Sequence, residues 1–218
     1  LRQAGVPFSQ DYMERTLAAY PAIARGLVDL FLARFDPALG EALSDIRMGR
    51  SQAIEAALAA ALEGVATLDE DRILRRFRNA IGSTLRTNFW QSTADVAAKD
   101  WISLKIDSRA IDDLPGPRPL VEVFVYSPRM EGIHLRGGRV ARGGIRWSDR
   151  REDFRTEVLG LMKAQMVKNA VIVPVGSKGG FYPKQLPRGG SPEAVRNEAI
   201  RAYKTFLSGL LDITDNID

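Results

Sequence analysis

The 218-residue sequence contains no cysteine and a single histidine, His134. Without cysteine the chain cannot form disulfides, thiol nucleophiles or thiolate metal sites, and this composition suits a reducing cytoplasm. One histidine cannot build a multi-histidine metal site, so we expect no metal. The sequence also lacks an apolar run near the roughly 18 residues of a membrane span and has no signal-peptide pattern, so we expect no membrane partner.

The positive charge of the sequence is concentrated in one segment. The whole chain carries a formal net charge of +4, whereas residues 121–190 contain 13 Lys and Arg against 6 Asp and Glu, a net of +7. Such a local excess attracts anions, either nucleic acid or small carboxylates and phosphates. A solvated basic face without a ligand accounts for the charge equally well.

The first 90 or so residues have the pattern of packed helices. Ser9 can cap a run with helical apolar spacing, Pro21 marks a break, and Thr67 to Glu70 forms a capping box before another apolar stripe. No catalytic constellation occurs in this part. We therefore predict a helical region over residues 1–95 that serves packing or assembly.

The pattern changes to that of an α/β protein after residue 95. A strand and a Pro/Gly-rich linker occupy 96–118, and VEVFVYSP and GIHLRGGRVARGGIRW are typical of strands joined by glycine turns. Asp149 begins a capping box that opens a helix to about Lys168. AVIVPV at 170–175 is a predicted buried strand, and Ser191 caps a last helix. The predicted fold class is α/β, with an N-terminal helical arm followed by a mixed-sheet unit over 119–218.

Two glycine-rich stretches of this unit carry isolated cations. We predict that GSKGG, residues 176–180, forms a loop beyond the carboxyl end of a strand, where ligands of open α/β sheets bind. Arg142 and Arg146 flank a second glycine pair, and Gln165 shares a helix face with Lys168. Arginine grips a carboxylate with two bonds and lysine offers a compact charge, so the set suits a small dicarboxylate.

Other interpretations of the same residues stay open. GSKGG also describes a plain turn with an exposed lysine. It is not a Walker loop, because Gly179 stands where the hydroxyl residue should be, and no G-x-G-x-x-G occurs, so no cofactor site is predicted in this chain. Glycine loops that only shape an interface would make the chain a non-catalytic assembly or regulatory module. Nucleic-acid binding is least favoured, because few aromatic residues accompany the cations.

The stretch RGGIRWSDRREDFRTEVLGLMKAQMVKNAVIVPVGSKGGF resembles the start of the catalytic region of the large bacterial NAD-dependent glutamate dehydrogenases. YSPRMEGIHLRGG and FLSGLLDITDN are similar to that family too, and LRQAGVPFSQDYME and DEDRILRRF fit the region that precedes it. The resemblance implies that residues 119–218 are the N-terminal part of a catalytic, substrate-binding domain. It also implies that the chain is a segment of a longer polypeptide, and that the full-length enzyme forms a homo-oligomer in the cytoplasm.

The small hexameric glutamate dehydrogenases have a more distant form of the same layout, and it implies roles for single residues. Arg142, which stands where those enzymes have lysine, would hold one substrate carboxylate, with Arg146 in support. Gln165 and Lys168 would contact the other carboxylate. Lys178 would be the catalytic residue. Gly144 and Gly179 match glycines that line the substrate.

The reaction implied by the resemblance is the reversible oxidative deamination of L-glutamate to 2-oxoglutarate and ammonia with NAD. In the family, a proton-shuttling Asp and the domain that binds NAD lie beyond the point that corresponds to residue 218. We therefore expect the 218-residue chain to be inactive by itself, with no cofactor-binding residue of its own.

Overall fold

The computed structural model describes residues 1–39, 44–93, 97–168 and 175–214. The chain divides into two compact units, unit 1 over Leu1–Ser83 and unit 2 over Thr84–Asp218. In the described part of the chain, no single helix has the length and apolar character of a membrane span. One pair of helices meets that criterion together, by length and composition only, but bends by 101° at its break.

All regular elements in the described residues of unit 1 are helices. Its longer helices are α1 (Gln10–Ala19), α2 (Pro21–Phe35), α3 (Ser44–Leu62) and α4 (Leu68–Gly82). The predicted caps are confirmed, because Ser9 Oγ accepts the N–H of Tyr12 at 3.2 Å and Thr67 Oγ1 accepts that of Glu70 at 3.3 Å. The break at Pro21 is also confirmed, since α2 begins there.

A leucine-rich core holds the helices of unit 1 together. Its buried members come from three helices: Ile23, Leu27, Leu30, Leu58, Leu62 and Leu74. The last helix ends at Gly82, so the prediction that helix continues to about residue 90 is wrong. The chain instead enters a strand at Thr84, where β-branched threonines suit a pleated backbone that pairs with a neighbour.

Unit 2 contains a mixed sheet covered by helices. In the described residues its strands are β1 (Thr84–Thr87), β2 (Ile102–Asp107), β3 (Val121–Tyr126), β4 (Met130–Arg136), β5 (Ala141–Arg142), β6 (Ile145–Trp147) and β7 (Val175–Pro183), and its helices are α5 (Phe154–Lys168) and α6 (Pro192–Leu211). The strand order is β1-β2-β3-β4-β7-β5, with β6 also paired to β7. β4 is antiparallel to β7, whereas β5 and β6 run parallel to it. The predicted α/β class is confirmed.

The two helices of unit 2 pack on opposite faces of the sheet. Ile133 and Leu135 of β4 join a core with Phe154 and Val158 of α5. The side chain of Met130 points to the opposite face of β4, where it joins a second core with residues of α6. This alternation follows from the two-residue period of a strand. We refer to the two sides as the α5 face and the α6 face.

Two sequence predictions about unit 2 need correction. The helix expected from Asp149 begins only at Phe154. GSKGG is not a loop, because residues 176–180 lie inside β7. β4 pairs with residues 177–180 on one side, and β5 and β6 pair with residues 176, 179 and 180 on the other. A Cβ at Gly180 would overlap the Val158 side chain of α5, so glycine serves close packing there. The strand predicted at 170–175 lies outside the described residues except for Val175.

Candidate functional site

Three of the predicted cations lie on one face of the sheet. Arg142 of β5 is in register with Gly176 of β7, and Arg146 of β6 is in register with Gly180. Lys178 lies between these two glycines on β7. Alternate residues of a strand point to the same face, so all three side chains project from the α5 face. Lys178 is two residues along β7 from Gly176, the partner of Arg142 on the neighbouring strand. The rise along the strand and the spacing between strands together put the Cα atoms of Arg142 and Lys178 about 8 Å apart.

The glycine pair between the two arginines allows this segment to lie against β7. A Cβ on Gly143 would overlap the backbone carbonyl oxygen of Ser177, so no larger residue fits there without movement. The carbonyl oxygen of Gly144 accepts the N–H of Gly179 at 3.1 Å. The backbone donor of Gly179 is therefore used inside the protein. Gly144 and Gly179 are brought together, and their contact joins the β5–β6 segment to β7.

The C-terminal end of α5 reaches the same place. Gln165 Nε2 donates to the carbonyl oxygen of Arg142 at 2.7 Å. Gln165 Oε1 is buried and has no hydrogen-bond partner within the described ranges. Lys168 is the last residue of α5, and its side chain lies outside the described part.

A carboxylate on α5 holds Arg146 in position. Arg146 Nε lies 2.6 Å from Glu157 Oε1, and the hydroxyl of Ser148 donates to Glu157 Oε2 at 2.5 Å. The backbone N–H of Ser148 donates to the carbonyl oxygen of Phe181 on β7 at 2.9 Å. Sequence reasoning missed Glu157 and Ser148. The available signal was that Glu157 is the one acidic residue in the α5 sequence FRTEVLGLMKAQMVK.

A buried ion pair fixes α5 to the centre of the sheet. Arg155 of α5 makes two hydrogen bonds to the carboxylate of Glu122 on β3, one of them from Nε at 2.8 Å. Both side chains are almost fully buried, at 3% and 7% exposure. The pair therefore sets the lateral position of the helix that carries Gln165 and Lys168.

Two cavities lined by described residues lie away from Lys178. An apolar groove of about 580 Å³ runs between β6 and α6 and includes Trp147, Phe181 and Tyr203. A second cavity of about 520 Å³ contains four cations, Lys105, Arg109, Arg136 and Arg139, and we call it the basic cleft. Near it, burial and then the positive charge of Arg136 lower the pKa of His134 to about 4, so this imidazole is neutral at pH 7.

The part of the chain that the structure describes contains no group of three or more His, Cys, Asp or Glu that could hold a metal ion. The cations on the α5 face are instead suited to an anionic ligand. Arg142 and Arg146 are exposed and Lys178 is half-buried, so a ligand can reach all three.

Comparison with known proteins gives a consistent result along the chain. The family model described as "Bacterial NAD-glutamate dehydrogenase, catalytic domain" matches residues 57–218, and "Glutamate dehydrogenase, helical motif 3" matches residues 1–37. The NAD-specific glutamate dehydrogenases of Pseudomonas aeruginosa and Mycobacterium tuberculosis are 55% and 54% identical over the whole chain. The enzyme of the same name from Neurospora crassa is 26% identical over 94% of it.

The chain spans only 13% and 14% of the length of the two bacterial relatives. The match to the catalytic-domain model covers unit 2 completely, including β5, β6, β7 and α5, and extends back into α3. The chain belongs to the bacterial NAD-glutamate dehydrogenase family and carries part of its catalytic domain.

Proposed function

We propose that the chain is the substrate-binding segment of an NAD-dependent glutamate dehydrogenase, which converts L-glutamate reversibly to 2-oxoglutarate and ammonia. The observation that carries the proposal is that Arg142, Arg146 and Lys178 lie on the α5 face, where Gln165 of α5 also donates to the carbonyl oxygen of Arg142. Membership of the family supplies the reaction class. A doubly charged dicarboxylate is the ligand that such a group of cations stabilises.

In this proposal Lys178 takes part in the chemical step, and the other cations bind the substrate. Arg142 forms a two-bond grip on one substrate carboxylate, and Arg146, held by Glu157, supports it. Lys168 and the second N–H of Gln165 Nε2 donate to the other carboxylate. A cation beside the reacting carbon stabilises the negative charge that develops on the carbonyl or carbinolamine oxygen, and this is the role of Lys178. In its neutral form the same amine accepts a proton from the water that attacks the imine carbon, and the ammonium group so formed is the cation that stabilises the carbinolamine oxygen.

NAD accepts the hydride in this reaction, but the residues of this chain do not fit a nicotinamide cofactor. The sequence has no G-x-G-x-x-G, and the glycines of β7 are used in strand pairing and in packing against α5. We propose that NAD binds to another part of the longer polypeptide. The proton-shuttling Asp of the family is also assigned to that part.

The roles of the two lysines are tested by steady-state kinetics of the longer polypeptide that contains this segment. Lys178→Met is expected to lower kcat by about 10²- to 10⁴-fold, as for loss of a proton-transfer group. Lys168→Met is expected to raise the KM for glutamate by about tenfold or more while the KM for NAD stays the same. Lys163→Met removes an exposed lysine from the same helix and is the matched control. Unchanged kcat in Lys178→Met contradicts the assignment.

The 218-residue chain alone is expected to bind substrate carboxylates but to be catalytically inactive. A glutamate-dependent NADH signal from the purified chain contradicts this expectation. The alternative function is a non-catalytic assembly or regulatory module, which predicts oligomers in light scattering and no response to glutamate or 2-oxoglutarate. For the longer polypeptide we propose a cytoplasmic homo-oligomer, in which unit 1 is a helical region and unit 2, whose sheet begins at Thr84, is the start of the catalytic domain.

A further inference from the structure

Four cations from separate segments of unit 2 meet in the basic cleft. Lys105 lies on β2, Arg109 follows that strand, Arg136 ends β4, and Arg139 lies in the turn after it. One carboxylate, that of Asp107, lines the same cavity and accepts the N–H of Arg109 at 2.9 Å. Four cations and one carboxylate give a local net charge of +3 (4 − 1 = 3). A charge of this size in a concave site focuses the field on an anion.

The basic cleft also has an apolar wall. Leu85, which is 53% exposed, and Leu120 line it beside the cations. Arg136 Nη2 donates to the carbonyl oxygen of Arg139 at 2.9 Å, which fixes one guanidinium at the edge of the cavity. This bond uses one of the five donors of that guanidinium. The combination suits an organic anion better than a bare inorganic ion.

We infer that the basic cleft is a binding site for a small organic polyanion, a molecule with two or more neighbouring carboxylate or phosphate groups on an apolar body. Its volume of about 520 Å³ lies in the range of small-molecule sites. No aromatic residue lines it, so it lacks the stacking surface that single-stranded nucleic acid uses. A compact cavity also favours a small ligand over an extended chain.

This site is distinct from the proposed substrate site. Arg136 is in register with Ser177 of β7, whereas Lys178 is the next residue and points to the α5 face. The basic cleft therefore opens on the α6 face, and the sheet separates it from Lys178. Its assignment does not depend on the proposed function, although an anion bound there would lie one strand away from Lys178.

Calorimetric titration of the 218-residue chain with citrate and with tripolyphosphate tests the inference. We expect one ion per chain with a dissociation constant below about 1 mM at about 0.1 M ionic strength, where surface charges are largely screened. Tighter binding of citrate supports an organic polyanion, whereas tighter binding of tripolyphosphate, an inorganic ion without an apolar body, overturns the inference of an organic ligand. Absence of binding of both, or tighter binding of a single-stranded oligonucleotide than of either, overturns the inference.

Two arginine variants and one control locate the binding. Arg139→Gln and Arg136→Gln are each expected to weaken the affinity by about five- to tenfold. Arg188→Gln removes the same charge from an exposed residue after the far end of β7 and is expected to change the affinity by less than about twofold. Arg139→Gln keeps the test valid if Arg136→Gln does not fold. Equal weakening in all three variants indicates non-specific attraction and overturns the site.

His134 provides an independent reporter, because it is the chain's single histidine and lies next to Arg136 on the α6 face. Its imidazole proton resonances are expected to shift on addition of the anion and to saturate with the calorimetric dissociation constant. Addition of glutamate to the same concentration is the control for the substrate site. Binding that leaves the His134 resonances unmoved places the anion elsewhere and overturns the inference.

Discussion

Removal of the Glu122 carboxylate gives the most direct test of how unit 2 holds α5 in position. Arg155 and Glu122 are 3% and 7% exposed and share two hydrogen bonds. The substitution Glu122→Ala leaves the guanidinium buried without this carboxylate. A buried ion pair that loses one member destabilises a protein by about 3–5 kcal/mol, because the remaining charge keeps its desolvation cost.

Urea unfolding at pH 7 measures this loss. All three tryptophans, Trp90, Trp101 and Trp147, belong to unit 2, so their fluorescence reports the unfolding of that unit. With a denaturant slope of about 1–3 kcal/mol per molar urea, a loss of about 4 kcal/mol lowers the midpoint by roughly 1.5–4 M. Such a change is far outside the error of the measurement.

Two further variants separate charge burial from lost packing. Glu152→Ala removes a carboxylate whose contact with Arg151 is solvent-exposed, and we expect a loss below about 0.5–1 kcal/mol. Glu122→Leu combined with Arg155→Met replaces the buried pair by apolar side chains and is expected to recover most of the stability. A loss below about 1 kcal/mol in Glu122→Ala would refute the reasoning, because it would mean that water reaches the pair.

Further predictions concern the glycine pair and the histidine. Gly143→Ala places a methyl group against a backbone carbonyl of β7 and is expected to lower the free energy of unfolding by about 1–3 kcal/mol. In Gly144→Ala the added Cβ meets nothing within 4 Å, so we expect this free energy to change by less than about 1 kcal/mol. Equal losses in urea unfolding would contradict the close approach. Burial and a nearby guanidinium lower the pKa of His134 to about 4 in the folded state, so only the unfolded state takes up a proton between about pH 6.5 and pH 4. Stability is therefore expected to fall by roughly 2 kcal/mol from pH 7 to pH 5, and His134→Gln removes that part of the dependence; identical profiles would disprove it.

Local signals in the sequence predicted three helix starts correctly, whereas the start predicted at Asp149 was wrong because α5 begins at Phe154. Ser9, Thr67 and Ser191 cap helices because their side-chain oxygens satisfy N–H groups two or three residues ahead, and both partners are visible in a short stretch. Pro21 was recognisable because proline suits the first position of a helix, where its missing N–H has no partner to lose. The mixed α/β class followed from the change of hydrophobic period near residue 95.

The misassigned segment of β7 shows where local signals fail. Glycine content predicts a loop, but Gly180 lies too close to Val158 of α5 for a side chain, and Gly179 lies tightly against His134 and Ile145 of the neighbouring strands. That reason exists only in three dimensions. Glu157 was missed in the same way, since its partners Arg146 and Ser148 are 11 and 9 residues away in the chain and adjacent only after α5 packs on the sheet (157 − 146 = 11 and 157 − 148 = 9).

The placement of Lys178 on a strand with neighbours on both sides has a dynamic consequence. A lysine on a surface loop samples many positions, whereas the backbone at residue 178 moves only when the β4–β7 ladder opens. Amide hydrogen exchange at residues 177–181 should therefore be as slow as global unfolding allows, with or without glutamate. Ligand binding at the proposed site is therefore expected to leave the backbone at residue 178 in place, and any adjustment there comes from the lysine side chain or from segments other than β7.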